Sequence, residues 1–74
     1  MEELPSVARL QMSHSRRLRA LSAKAWQSYD RAYKRGDKDA ARAAMQDHKA
    51  LEAAADMMRD AAMARAKATG EALT

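Results

Sequence analysis

The sequence predicts an all-α fold, and three features of the 74-residue chain indicate it. Nineteen residues are alanine, which has the highest helix propensity of any amino acid. The chain has no Ile or Phe and only one Val, so the residue types that build strands are nearly absent. Apolar residues also recur at alternating steps of three and four, the spacing that places side chains on one side of a helix.

The first helix is predicted over about residues 5–35. Pro5 suits the first turn of a helix, where its missing N–H costs little, and Ser6 is an alternative N-cap. A stripe of mostly apolar residues follows at helical spacing, and we expect it to face the second helix. The stripe consists of Val7, Leu10, His14, Leu18, Leu21, Ala25, Tyr29 and Ala32.

A short turn is predicted over residues 36–38. Gly36 suits the left-handed position that ends a helix, and Asp37 or Asp39 can cap the next one. So short a connection forces two helices into an antiparallel hairpin. The second helix is predicted over about residues 38–69, and residues 71–74 are expected to fray. The whole chain, 1–74, is then a single helical-hairpin domain.

The second helix carries two apolar seams. The first, which we assign to the contact with helix 1, consists of Ala44, His48, Leu51, Ala55, Met58 and Ala62. The second consists of Ala43, Ala50, Ala54, Met57, Ala61, Ala64 and Ala68. Two buried sides need two neighbours, and the chain supplies only one. The second seam therefore predicts a homodimer in which two hairpins form a four-helix bundle.

Positive charge is concentrated in the first helix of this chain of net charge +4. Eight basic residues fall within about 160° of arc on a helical wheel. They are Arg9, Arg16, Arg17, Arg19, Lys24, Arg31, Lys34 and Arg35. This basic arc is a candidate site for phosphates or for a partner. The alternative is a solvated face that only keeps an alanine-rich bundle in solution.

Trp26, Tyr33 and Met57 are candidate anchors for a protein interface. Trp and Tyr commonly dominate binding energies, and Met adapts to irregular partners. The alternative interpretation is that Trp26 and Tyr33 widen the core face of helix 1, while Met57 fills a gap in a core of Ala and Leu.

Catalysis has little support in the sequence. The chain has no Cys, no Gly-rich phosphate loop, and no evident set of nucleophile and base. His14 and His48 would lie about 15 Å apart along the hairpin, too far to share a metal ion within one chain. We therefore expect no enzymatic activity, no metal, no cofactor and no small-molecule substrate. The absence of a signal peptide and of a long apolar run predicts a cytoplasmic protein without a membrane role.

Three functions remain open from the sequence. The first is a small non-enzymatic regulatory module that binds a protein or another macromolecule through its helical faces. The second is a regulator that binds DNA or RNA through the basic arc. The third is a structural or scaffold component.

Overall fold

The computed structural model describes residues 5–73 and shows two helices packed side by side. Helix α1 spans Val7–Lys34, and helix α2 spans Lys38–Thr69. They run antiparallel, so the predicted all-α hairpin is confirmed. The Cα atoms extend over 52 × 25 × 15 Å, the dimensions of a single layer of two helices.

The turn between the helices is fixed by Gly36, whose φ is +77°. Its N–H donates to the carbonyl of Tyr33 at 3.1 Å, and the N–H of Asp37 donates to the carbonyl of Ala32 at 2.9 Å. This pair of bonds is the Schellman motif, which satisfies the last carbonyls of a helix. Asp37 then caps α2, because its Oδ1 accepts the N–H of Ala40 at 3.1 Å.

The open end of the hairpin is tied together by Ser6 and Glu71. Ser6 caps α1 by accepting the N–H of Arg9 at 3.1 Å, and its hydroxyl donates to Glu71 Oε2 at 2.6 Å. Arg9 Nε lies 3.6 Å from the same carboxylate. We expected residues 71–74 to fray. Glu71 is instead held by α1, and residue 74 lies outside the described residues.

Small side chains form the contact between the helices. Every buried hydrophobic residue within residues 5–73 is an alanine: Ala8, Ala32, Ala41, Ala44, Ala55, Ala62 and Ala66. Two serines of α1, Ser15 and Ser22, are buried with them. Since alanine and serine project little from the backbone, the contact brings the two helix backbones close together.

The stripe of α1 that was expected to face α2 does so only in part: Ala32 is buried, and Leu18, Ala25 and Tyr29 are half-buried. Leu10 and Leu21 remain 44% and 42% exposed, and Val7 is also exposed. The side of α1 that meets α2 is about a quarter turn away and carries Ala8, Ser15 and Ser22 at seven-residue spacing. Serine is suited to positions 15 and 22 because its hydroxyl donates a hydrogen bond to a group on α2, the Ala55 carbonyl for Ser15 and the Glu52 carboxylate for Ser22. The large apolar side chains of α1 therefore lie beside the contact, on the surface.

Candidate interaction surfaces

A polar network crosses the middle of the hairpin through Ser22. Its Oγ lies 2.7 Å from Glu52 Oε1 and 2.8 Å from His48 Nδ1. A carboxylate only accepts, so the Ser22 hydroxyl donates to Glu52 and accepts from a protonated Nδ1 of His48. The same Nδ1 is 3.1 Å from the Ser22 carbonyl oxygen. We assign the Nδ1–H tautomer to His48 because it satisfies both contacts.

Arg19 extends this network to a second carboxylate. Its Nη1 donates to Glu52 Oε2 at 2.9 Å, and its Nη2 donates to Asp56 Oδ1 at 2.6 Å. The hydrogen bond to Asp56 is the main cause that raises the pKa of the Arg19 guanidinium above its ordinary value. The charges of Asp56 and Glu52 act in the same direction, and partial desolvation opposes them. Arg19, a member of the predicted basic arc, thus forms ion pairs between α1 and α2.

The Ser22 network brings a serine, a histidine and a carboxylate together, but its geometry is that of a brace between helices. Ser22 is fully buried, so a substrate has no path to its hydroxyl. Glu52 bonds the serine itself, whereas in a catalytic triad the carboxylate orients the histidine. The network therefore fixes the register of α1 against α2.

Aromatic rings form a row near the turn. The ring centroids of Trp26 and Tyr29 are 5.2 Å apart, and those of Tyr29 and Tyr33 are 5.9 Å apart. The Trp26 ring also lies 5.4 Å from that of His48. Tyr33 is 68% exposed and rims an open cavity of about 370 Å³ at the turn. The candidate anchors Trp26 and Tyr33 thus share one end of the hairpin, and Met57 lies on a different surface.

One broad side of the hairpin is apolar. Its centre is an open groove of about 300 Å³ between the helices, lined by Leu18, Ala54, Met57, Met58 and Ala61. Leu21 and Leu10 of α1 continue the same side at helical spacing, on the surface. We call this surface, from Leu10 and Leu21 of α1 to Ala54 and Ala61 of α2, the apolar face.

The two seams of α2 are separated as the sequence suggested. The first seam meets α1: Ala44, Ala55 and Ala62 are buried. The second seam lies outside the contact between the helices, and Ala54, Met57 and Ala61 line the groove beside Leu18 of α1. Ala54 is half-buried in the groove, and the exposed members are Ala43, Ala50, Met57, Ala61, Ala64 and Ala68. Met57 is 73% exposed, which is high for a large apolar side chain.

The basic arc divides into two sets within residues 5–73. One set is held by carboxylates of the hairpin: Arg9 by Glu71, Arg19 by Glu52 and Asp56, Lys34 by Asp30, and Arg35 by Asp37. The other set is exposed and makes no ion pair with the described residues. It consists of Arg16, Arg17, Lys24 and Arg31.

Residues 5–73 contain no group of three or more His, Asp or Glu residues placed to hold a metal ion. Neither α1 nor α2 contains a stretch that is both long enough and apolar enough to cross a membrane.

Comparison of the chain with protein-family models, with curated proteins and with solved structures finds no match.

Proposed function

We propose that this chain is a non-enzymatic helical-hairpin interaction module whose apolar face is covered by a second copy. The resulting four-helix bundle would present the outer sides of the helices to another macromolecule. The observation that carries the proposal is the mismatch between the buried and the exposed apolar residues. The buried apolar residues within residues 5–73 are all alanines, while Leu10, Leu21 and Met57 are exposed along one side.

The stability of the fold supports a covered apolar face. A buried alanine contributes one methyl group, whereas a buried Leu or Met contributes about 1.5–3 kcal/mol. A two-helix layer whose buried residues are alanines and two serines has little to offset the entropy of ordering the chain. Burying the leucines and methionines of the apolar face supplies the missing contribution. Layers of secondary structure usually meet this need by packing on another layer.

The accessible surface supports the same proposal. The hairpin exposes 5902 Å², whereas a compact monomer of this mass exposes about 4,500 Å². The difference exceeds the roughly 800 Å² that each partner buries in a typical stable interface. The hairpin therefore has enough surface beyond that of a compact monomer to form such an interface.

A second copy fits the apolar face better than an unrelated helix because charges near it are self-complementary. Asp47 lies seven residues before Ala54, and Arg65 lies four residues after Ala61, so both border the apolar face. They are separated by about five helical turns, or about 27 Å, with the groove residues of α2 between them. Both are exposed and make no ion pair with residues 5–73. An antiparallel contact between two α2 helices places Asp47 of one copy beside Arg65 of the other, twice.

Sedimentation velocity over a range of protein concentrations tests the proposal. We expect a dimer for the unchanged chain and a helical, less stable monomer for Ala54→Glu and for Ala61→Glu. A buried, unpaired carboxylate in the seam costs several kcal/mol. The control is Met63→Glu, because Met63 is 56% exposed and lies nine residues, or two and a half turns, after Ala54, on the opposite side of α2 from the groove. A monomer for the unchanged chain, or a dimer retained by both seam variants, would contradict the proposal.

A further inference from the structure

A line of positive charge runs along the outer side of α1. Arg17, Lys24 and Arg31 follow one another at intervals of seven residues, so they lie almost in line on the helix. Successive members are about 10.5 Å apart, and the line is about 21 Å long. Arg16 stands beside its first member. We call these four residues the basic ridge.

The basic ridge is left unneutralised by the hairpin. All four side chains are exposed, and none forms an ion pair with a residue in the range 5–73. Asp30 is the one acidic residue of α1, and its carboxylate is occupied by Lys34 at 2.9 Å. The acidic residues of α2 that reach α1 are occupied by Arg19. The ridge therefore retains its full charge for a partner outside the hairpin.

The neighbours of the ridge indicate what kind of polyanion fits it. Between the charges lie small or polar exposed residues: Ser13, Ala20, Gln27 and Ser28. Leu21, four residues after Arg17 and three before Lys24, is the large apolar neighbour of the ridge. It belongs to the apolar face, which runs along one side of the ridge and which a second copy covers in the proposed bundle, so the ridge itself carries no row of apolar side chains to insert between lipids. None of these neighbours is aromatic, and the ring row of Trp26, Tyr29 and Tyr33 is on the side of α1 toward α2, so bases of a single strand have no stacking platform on the ridge. A rigid line of charges that carries neither a row of apolar side chains nor aromatic rings matches the regular spacing of phosphates along a nucleic-acid backbone.

We propose that the basic ridge binds the phosphodiester backbone of double-stranded nucleic acid without reading its sequence. Arginine binds phosphate oxygens through two parallel hydrogen bonds, and lysine adds a point charge. A duplex presents about one negative charge per 1.7 Å of its axis, so several phosphates lie within reach of a straight ridge about 21 Å long. The ridge is complete in one chain, so the proposal does not rest on self-association. A dimer would present two ridges.

The proposal makes a quantitative statement about salt. Four phosphate contacts release about four counterions, so the logarithm of the binding constant should fall with the logarithm of salt concentration at a slope of about −3 to −4. Two ridges acting together would double that slope. Removal of three of the four charges should reduce the slope to about −1 for a single ridge and lower affinity at least tenfold at low salt.

Fluorescence anisotropy with labelled duplexes of about 20 base pairs, one of DNA and one of RNA, tests this between about 50 and 200 mM salt. The test variant is Arg17→Gln with Lys24→Gln and Arg31→Gln. The matched control, with the same change of charge on exposed residues of α2, is Arg42→Gln with Lys49→Gln and Lys67→Gln. We expect the test variant to lose duplex binding and the control to keep most of it. Comparison of the two duplexes tells whether the ridge prefers DNA or RNA.

Three results would overturn the proposal. The first is no binding of either duplex by the unchanged chain at the lowest salt. The second is an equal loss of affinity in the test and control variants, which would show a response to net charge alone. The third is ridge-dependent binding to phosphatidylserine vesicles without binding to a duplex, which would assign the ridge to an anionic membrane surface. Sedimentation velocity of the test variant distinguishes a loss of ridge contacts from a loss of dimerisation. The test variant should keep the oligomeric state of the unchanged chain.

Discussion

The hydroxyl of Ser15 donates a hydrogen bond to the backbone carbonyl of Ala55, 2.8 Å away on the opposite helix. A side chain as short as serine reaches the opposite backbone only where two helices approach closely. Ala55 is fully buried. Its carbonyl oxygen therefore accepts a hydrogen bond from the Ser15 hydroxyl in addition to the one it accepts within α2. This contact, more than burial of large side chains, sets the distance between α1 and α2.

We predict that Ser15→Leu destabilises the hairpin by about 1–3 kcal/mol, because the larger side chain forces the helices apart and removes the bond to Ala55. Urea unfolding followed by circular dichroism, at one fixed protein concentration, measures the change. Ser13→Leu is the control, since Ser13 is exposed on the same helix. Equal unfolding midpoints for the two variants would show that close approach at Ser15 does not matter.

Helix positions and the hairpin turn could be predicted from this sequence because local chemistry specifies them. Gly36 provides the left-handed residue, Asp37 the next cap, and alanine the helix propensity. The predicted helix ends differ from the observed ones by two residues or fewer. Contacts within a few residues of each other decide these features, so they do not depend on the rest of the fold.

The side of α1 that meets α2 could not be predicted as easily. Large apolar residues such as Leu10 and Leu21 dominate a hydrophobicity pattern, whereas the helices meet through Ser15 and Ser22. The available signal was the seven-residue recurrence of small residues: Ala8, Ser15 and Ser22 on α1, and Ala55 and Ala62 on α2. Serine is polar when considered alone. Its suitability for the contact depends on a carbonyl or a carboxylate supplied by the other helix.

The candidate surfaces were predictable to a similar extent. Periodicity separates the two seams of α2, since both depend only on helical spacing. The division of the basic arc required the structure, because Arg19 is distinguished from Arg16 and Arg17 only by its position opposite Glu52 and Asp56. An arginine's sequence neighbours do not show which carboxylates from a distant helix will reach it.

Replacing Arg19 should lower the free energy of unfolding only slightly, even though its two hydrogen bonds are short. Both partners are substantially exposed, and ion pairs in such positions contribute about 0.2–1 kcal/mol. A double-mutant cycle with Arg19→Gln and Asp56→Asn should therefore give a coupling energy below about 1 kcal/mol, and it should shrink at high salt. A coupling energy of several kcal/mol, insensitive to salt, would show that water is excluded from this ion pair.

Gly36→Ala should destabilise the chain by about 1 kcal/mol, and Gly70→Ala should cost less. Both glycines have positive φ, and a Cβ at either position would meet no atom within 4 Å, so the cost is conformational alone. Gly36 lies in the only connection between the helices, where the backbone cannot relax without moving them. Gly70 follows the end of α2, where a local change of backbone absorbs the strain. Thermal unfolding of the two variants compares these costs, and a larger loss for Gly70→Ala would contradict the argument.

Charge reversal at Asp47 and Arg65 tests the arrangement of the proposed dimer. In an antiparallel contact between two α2 helices, Asp47→Arg places like charges opposite each other at two symmetric positions. We expect dimer dissociation to become about tenfold easier, which corresponds to about 1.4 kcal/mol, and Arg65→Asp should act alike. Combining the two substitutions restores both pairs with exchanged signs, so the double variant should dimerise within about threefold of the unchanged chain. Sedimentation equilibrium measures all four dissociation constants. If the dimer instead packs α1 against α2, Asp47 and Arg65 do not meet, and the effects of the two substitutions would be independent rather than compensating.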